Sequence, residues 1–396
     1  SRPRAPPGPA RVPVALYAPM KPPDDPRPSG DRRMARLLQA ALQRAGFAPT
    51  LASRFKSREA DGDGDRQTAL IGAAADEAAR LVAALRPDPP ACWITYHCYY
   101  KAPDLIGPTV ARALAIPYLL VEASHAAKRL TGPHARFAQA AADAIAAADL
   151  ILQPSPADAE GAAPLLKPGA TQIAFPPFLE SARYRADAET RAAARAELAA
   201  EYDAPTDRPW LVTAAMMRPG AKARSYAVLA EALRRLAAPE KGWVFLAAGD
   251  GPARAAIEAG FEGLANVRFV HELGEAAVAR LYAAGDLFLW PAVEEAYGIA
   301  LLEAQAAGLP AVIGDRPGPR ALVAPGETAL LTPEGDTGAF AAATDALLSD
   351  PPRRRRMGEA AAARVAARHD LAAAAERLAH AIHPLLAQTR KGADAP

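Results

Sequence analysis

The chain has 396 residues, more than one ordinary hydrophobic core accommodates, so two domains are expected. Hydrophobic residues make up 51%, much of it Ala, which suffices for a sizeable core and excludes a disordered chain. A formal net charge of +2 with 23% charged residues excludes both the basic footprint of a nucleic-acid binder and an acidic tail.

From the N-terminus, the apolar stretch Val12 to Tyr17 is too short for a signal-peptide core and is predicted as a first strand. The chain starts at Ser1 rather than Met, which points to processing or trimming. A helix follows in DRRMARLLQAALQRAGF, with Asp31 expected as its N-cap and Gly46 as its stop. The stretch ADGDGDRQ reads as a loop, and DEAARLVAAL as a helix. ACWITYH, PYLLVEAS and LILQPS are further strands. Short apolar runs alternating with Ala/Leu/Arg helices are the pattern of crossover units on a parallel sheet.

The rhythm breaks at FPPFLESARYRADAE, where Pro176-Pro177 prevents regular structure, and a charged helix runs on to Tyr202. A second cycle of strands is PWLVTAAMM, WVFLAAGDG, VRFVHEL, DLFLWPAV and PAVIGD. The segment from Pro351 to Leu386 reads as helical, and the last residues, QTRKGADAP, as frayed. The expected division is residues 1–183 as a first Rossmann-like domain and 184–208 as linker and helix. Residues 209–375 would form a second Rossmann-like domain, and 376–396 a C-terminal helix and tail returning to the first.

Cys92 and Cys98 match no metal or redox spacing and are expected as free, partly buried thiols in a reducing compartment. No apolar run approaches the ~20 residues of a membrane span. A cytoplasmic protein is therefore expected. Arg32, Arg33, Arg36 and Arg44 give the first helix a basic side, which leaves peripheral contact with the inner face of a membrane open. A solvated outer face explains the same pattern more simply, as it does the run Arg353 to Arg356.

Three segments carry candidate chemistry. In DLFLWPAVEEAYGIALLEAQAAGLPAVIGD a strand ends at Trp290-Pro291, a loop carries Glu294, Glu295 and Tyr297, and a helix begins near Gly298. That helix is expected to bury Ile299, Leu301 and Leu302 and to stop at Gly308, with Glu303 just over one turn inside it. Carboxylates beside a helix N-terminus, an anion site, need a reason, and sugar hydroxyls supply one. A simple acidic preference at a helix start is the rival explanation. In LVTAAMMRPGAKARSY, Arg218 and Lys222 follow a strand, at the carboxyl end where doubly wound sheets bind ligands. Two cations there can neutralise a diphosphate; solvated charges on a turn are the bland alternative. In WVFLAAGDGPARAAI, Gly249 and Gly251 open a tight turn, but Arg254 stands where a dinucleotide fingerprint has its third glycine.

In this order the three segments resemble the retaining glycosyltransferases of family 4, most clearly from about Pro209 to Pro351. The resemblance rests on the Glu-x7-Glu pair Glu295 and Glu303, the following LLEAQAAGLPAV, and PGPRALVAPGETALLTPEGD. It implies an α/β protein of the GT-B fold, with two facing Rossmann-like domains and a C-terminal helix packed back on the first. It implies a nucleotide-sugar donor, UDP- or GDP-linked, clasped at its diphosphate by Arg218 and Lys222. Glu295 would meet the donor sugar and Glu303 the ribose, with backbone N–H groups near Tyr297, Gly298 and Ile299 and the turn at Gly249 and Gly251 completing the donor site. No cofactor and no metal would be required. The acceptor would be a sugar, a lipid-linked sugar or another group. The high Ala and Arg content suits a high-GC bacterium, for which a role in envelope polysaccharide or glycolipid synthesis is expected. On the acceptor side the matching positions are Gly30, Asp31, His97, Glu122, Ser124, His125 and Lys128. His125 fits slightly better than His97 as the histidine near the reacting carbon. This chain departs from the family pattern at His271, Ala292 and Arg320, and in a Arg218–Lys222 spacing one residue shorter than the commonest.

Rival functions remain at this level: an epimerase or phosphorylase of the same fold, a non-catalytic sugar-binding protein, or a dinucleotide oxidoreductase. The missing third glycine disfavours the last, and a pure binder has no need of a diphosphate clamp.

Overall fold

The structure, a computed structural model, describes residues 11–27, 29–236, 242–271, 274–295 and 297–393. The first half of the chain runs β1 (Val12–Tyr17), α1 (Gly30–Arg44), β2 (Phe47–Ser53), α2 (Gly64–Leu85), β3 (Trp93–Cys98) and α3 (Gly107–Leu114). It continues with β4 (Tyr118–Ala123), α4 (Ala135–Ala147), β5 (Leu150–Gln153), α5 (Pro156–Ala162) and β6 (Thr171–Ala174). After α6 (Ala188–Tyr202) come β7 (Trp210–Ala214), α7 (Ala221–Arg235), β8 (Val244–Ala248), α8 (Arg254–Gly260), β9 (Val267–Val270) and α9 (Glu275–Ala284). The rest is β10 (Leu287–Trp290), α10 (Ile299–Ala306), β11 (Ala311–Gly314), α11 (Pro317–Ala321), β12 (Ala329–Thr332), α12 (Thr337–Leu348), α13 (Pro351–Arg368) and α14 (Leu371–Ala393). Among the described residues no helix is long and apolar enough to cross a membrane.

Two compact units result: Ser1–Pro176 with Leu371–Pro396, and Pro177–Asp370. Each contains one parallel six-stranded sheet, ordered β2-β1-β3-β4-β5-β6 in the first and β12-β11-β10-β7-β8-β9 in the second. The order reverses between β1 and β3 in one sheet and between β7 and β10 in the other. Such reversals open a crevice at the carboxyl ends of the strands, where α/β folds take ligands.

In the first unit the central strands β1, β3, β4 and β5 are largely buried on both faces, so they read as continuous apolar runs with Trp93, Leu119, Leu120 and Ile151 fully buried. The Cys92 and Cys98 thiols are free and fully enclosed, and burial pushes each up to about 12. The N-cap of α1 is Ser29, which accepts from the Arg32 N–H, rather than Asp31, which lies in the first turn. Gly46, with φ +93°, follows the end of that helix as expected. The loop expected at ADGDGDRQ is only half a loop, because Asp63 caps α2 by accepting from Asp65 and Arg66 and the helix starts at Gly64. Strands β2, β6 and β12 escaped the sequence reading: β2 is largely half-exposed, β6 largely exposed, and neither has a dense apolar run.

The helical segment after Pro351 is two helices. The break at His369-Asp370 is held by the Asp370 carboxylate, which accepts from Ser181 N (3.0 Å) and Oγ (2.6 Å), while the His369 carbonyl accepts from Leu179 N (2.9 Å). Beyond it α14 packs on α1, burying Leu378 and Ile382 and stacking His383 on Phe47 at 4.8 Å. The tail expected to fray stays helical through Ala393. Residues 184–208, expected as linker and helix, contribute α6 to the second unit, where Ala194 and Leu198 enter its core with Trp210 and Tyr226.

Candidate functional site

The second unit gathers its polar groups at the β7/β10 reversal. After β7 the chain turns through Gly220 into α7, so Lys222 stands in the first helical turn. Its ammonium pairs with the Glu295 carboxylate, which also accepts from Trp290 Nε1 at 3.1 Å. The same ammonium lies 5.1 Å from the centre of the Trp290 ring, so cation–π attraction adds to the ion pair. Lys222 and Glu295 are both partly exposed, hence accessible to a ligand. Arg218 is exposed and makes no side-chain hydrogen bond or ion pair among the described residues.

The loop from β10 to α10 is strained into place. Ala292 and Glu294 take φ of 54° and 51°, a left-handed conformation costing about 1 kcal/mol or more for residues with a Cβ. Three contacts hold it: Val293 N donates to Ser225 Oγ (3.0 Å), Glu294 N to Glu334 (2.9 Å), and Arg224 pairs with Glu294 at 2.5 Å. Gly298, at φ +91°, then opens α10. The first-turn N–H groups of Ile299 and Ala300 have no carbonyl one turn earlier in the helix and point outward from its positive end. Ile299 is half-buried rather than buried, while Leu301 and Leu302 are enclosed as expected. Glu303 is 7% exposed, and Tyr184 donates to its Oε1 at 3.0 Å.

Gly249 and Gly251 close the turn after β8 with φ of 155° and 150°. A Cβ on Gly249 would lie 2.0 Å from the Ala215 carbonyl oxygen, and one on Gly251 2.4 Å from that of Met217, so only glycine fits. Arg254, in the place of the third glycine, donates to the Gly249 carbonyl at 3.2 Å, meets His271 Nδ1 at 3.1 Å and bonds Glu258 at 2.6 Å. It braces the turn from the position of the third glycine.

The first unit has its own cluster at the β1/β3 reversal. His97 near the end of β3 and Glu122 near the end of β4 lie between the register pairs Tyr96–Val121 and Cys98–Ala123, and both take positive φ, 61° and 64°. Left-handed backbone at one register position of two adjacent strands is local strain of the kind that gathers at functional sites. His97 Nδ1 lies 3.0 Å from Asp31 Oδ1, its Nε2 4.0 Å from Glu122 Oε1, and its ring stacks on Tyr99 at 4.7 Å. Burial alone would push the imidazole down. The Asp31 hydrogen bond, with the charges of Glu122, Asp31 and Asp158, outweighs burial and holds it above its ordinary value. The bond to His97 in turn keeps the Asp31 carboxyl below its usual range.

The structure does not draw His125 into this cluster. Its ring is partly exposed and makes no side-chain hydrogen bond, ion pair or ring contact among the described residues, and burial lowers its pKa. Ser124 is tied through its backbone N–H to the Cys98 carbonyl at 3.0 Å. Lys128 sits exposed in the short 3-10 turn Ala127–Leu130, away from any carboxylate partner among the described residues. Gly30 begins α1 with open space around it, so nothing there demands glycine.

Trp290, Ser225 and Tyr184 complete the second site and were not picked out as site residues from the sequence. Trp290 could have been noticed as a polar-tipped aromatic ending an apolar strand; Tyr184, 119 positions from Glu303, leaves no local signal.

Comparison with known proteins adds an independent line. A family model described as glycosyl transferases group 1 matches residues 208–350. Alpha-D-kanosaminyltransferase of Streptomyces kanamyceticus is 31% identical over 287 residues, 72% of each chain. A GDP-mannose-dependent alpha-mannosyltransferase of Mycolicibacterium smegmatis is 42% identical over 101 residues, 25% of this chain and 26% of that one. The structure of Anabaena HepE in complex with UDP-glucose superposes with a TM-score of 0.65 at 16% identity, covering 96% of this chain and 99% of that one, which shows a shared fold.

Proposed function

The chain belongs to the group 1 glycosyl transferases, and on that premise we propose that it moves a sugar from a nucleotide-diphosphate donor to a hydroxyl acceptor, with retention of configuration and without a catalytic metal. The observation that supports this reading is the Lys222–Glu295 ion pair, which joins the start of α7 to the loop leading into α10, with Arg218 exposed in the turn just before α7. A nucleotide-sugar donor is supported by the GDP-mannose dependence and the bound UDP-glucose named for two of the relatives.

As the bond between the anomeric carbon and the diphosphate breaks, negative charge grows on the leaving oxygen. Arg218, Lys222 and the outward N–H groups of α10 stabilise that charge more than the ground state, which is the condition for acceleration. Glu295 does two things: it orients the Lys222 ammonium and offers acceptor lone pairs to a donor-sugar hydroxyl. Glu303, held by Tyr184, is placed for a ribose hydroxyl. The acceptor oxygen bonds to the carbon on the face the diphosphate leaves, and its proton passes to the departing phosphate oxygen. In the first unit, Asp31 and His97 form the polar end of the acceptor site; a sugar or lipid-linked acceptor is part of the same proposal.

Incubating the full chain with UDP- and GDP-sugars, in excess chelator, and following the anomeric proton by NMR tests this directly. The expected product keeps the donor's anomeric configuration at an undiminished rate. An inverted product, or a rate abolished by chelation and restored by a divalent cation, would refute the mechanism.

A further inference from the structure

The strained loop between β10 and α10 is gripped from two sides, and only one of them belongs to the transfer chemistry. From the first turns of α7, three residues hold three consecutive loop residues. Val293 N donates to Ser225 Oγ (3.0 Å), Arg224 pairs with Glu294 (2.5 Å), and Lys222 pairs with Glu295. Ser225 is fully enclosed and its own hydroxyl donates to the Ala221 carbonyl at 3.0 Å, so this grip is fixed to the helix.

The opposite side is held by a carboxylate 40 positions from Glu294 in sequence. One oxygen of Glu334, in the turn between β12 and α12, accepts the Glu294 backbone N–H at 2.9 Å; the other accepts from the Arg316 guanidinium at 3.0 Å. Arg316 follows β11, where its backbone N–H donates to the Gly314 carbonyl at 3.0 Å. Gly314 in turn presses on the root of the loop, since a Cβ there would lie 1.9 Å from the Pro291 carbonyl oxygen. The end of β11 therefore reaches the loop twice, at Pro291 by backbone contact and at Glu294 through Arg316 and Glu334.

Glu294 has φ of 51°, a conformation disfavoured for a residue with a Cβ, which persists only where its surroundings over-determine it. Two contacts reach this residue. The Arg224–Glu294 pair is exposed, 52% and 61%, so water and salt weaken it. The bond to Glu334 is charge-assisted, and its acceptor is less exposed and steadied by a second partner. Glu334 is thus the firmer hold. Without it, relaxation of the Glu294 backbone would swing the next residue, Glu295, whose carboxylate meets Lys222 and Trp290 Nε1.

We propose that Glu334, steadied by Arg316, is a positioning residue for the transfer: by taking the Glu294 N–H it keeps the strained turn that aims the Glu295 carboxylate at Lys222. Glu334 acts through the loop and not on the reacting atoms. The proposal rests on the transferase reading above and adds a residue to its machinery.

The Trp290 indole N–H donates to Glu295 at 3.1 Å and so registers where that carboxylate lies. Its signal in 1H–15N NMR of the full chain, assigned with Trp290→Phe, is compared between wild type, Glu334→Ala and Glu334→Gln. Glu334→Ala is expected to move the Trp290 signal while those of Trp93, Trp210 and Trp243, all buried, stay in place and report that both units fold. Glu334→Gln keeps an amide oxygen for the Glu294 N–H and should return the signal most of the way. In steady-state kinetics Glu334→Ala should lower kcat about 10- to 100-fold with donor KM changed less than about threefold, and Glu334→Gln should recover most of the loss. Should Glu334→Ala misfold, Arg316→Gln, which leaves the carboxylate unsteadied, is expected to give a smaller shift and a smaller loss of kcat, and no change in either would overturn the proposal. So would an unmoved Trp290 signal or an undiminished kcat in a folded Glu334→Ala, or a Glu334→Gln no better than it. A wild type that turns over no nucleotide sugar, with the Trp290 signal still moved by Glu334→Ala, would instead strike at the transferase reading and leave the hold of Glu334 on the loop standing.

Discussion

The two units place polar clusters at the same topological point, the order reversal of a parallel sheet, yet build them from different materials. The second unit uses backbone: glycines at 249 and 251 let one strand end press against the next, and a helix start supplies N–H groups. There Lys222 pairs with Glu295 and Glu303 accepts from Tyr184, while Arg218 stays unpaired among the described residues. The first unit uses side chains forced into left-handed backbone, His97 and Glu122. On the proposed reading, the backbone-built site serves the diphosphate, a ligand part common to many enzymes. A site made of side chains is free to vary with the acceptor.

Glycine substitution separates the units most sharply. Gly249→Ala puts a methyl 2.0 Å from the Ala215 carbonyl at a backbone conformation Ala rarely adopts, so the second unit is expected to lose on the order of 4 kcal/mol in a denaturant titration. Gly30→Ala in the first unit meets open space and is expected to change stability by less than about 1 kcal/mol. Equal losses would mean that the start of α1 too depends on glycine.

Next in size, Lys222→Ala is expected to lower kcat roughly 100- to 1000-fold with a smaller change in donor KM, because its charge matters most when the leaving group is charged. Steady-state kinetics decides it, and an unchanged kcat would remove Lys222 from the chemistry.

This contrast also governs what was legible in the sequence. Arg218, Lys222, Glu295 and Glu303 could be picked out because turn glycines, a helix start and fixed spacing keep them local. Asp31 and His97 were noticed only as strand-end and turn residues, since 66 positions separate them and their bond exists only after β1 and β3 pair. Nothing local told His97 from His125; the positive φ at 97 and 122 is visible only in the folded strands. The split between α13 and α14 was hidden for a similar reason: Asp370 breaks the helix by bonding Ser181, 189 positions away.

The first-unit pair gives a pH-dependent test. His97 is held above its ordinary value of about 6.5, so the stability it contributes is full below that pH and is lost as pH rises through the raised value. Asp31 is held below its ordinary value of about 3.9, so its contribution is present above that pH and is lost as pH falls through the lowered value. Asp31→Asn should therefore cost about 1 kcal/mol between those limits and little outside them. An NMR titration of the His97 imidazole in that variant should show its pKa falling; an unmoved pKa would break the proposed pairing.

The smallest effect belongs to Tyr184→Phe, which removes one hydrogen bond to a buried carboxylate. A several-fold weaker nucleoside diphosphate affinity with kcat nearly unchanged is expected, corresponding to about 1 kcal/mol. A change in kcat alone would move Glu303 from ribose binding into the reaction.

The central claim, a nucleoside-diphosphate site in the second unit, is tested most directly by thermal shift of the full chain with UDP, GDP, ADP, CDP and NAD, alongside Glu303→Ala. One nucleoside diphosphate at 100 times its Kd should stabilise the native protein by about 3 kcal/mol and raise its Tm by several degrees, with the shift much reduced in Glu303→Ala. A shift with NAD alone, with none of the five, or one untouched by Glu303→Ala would contradict it.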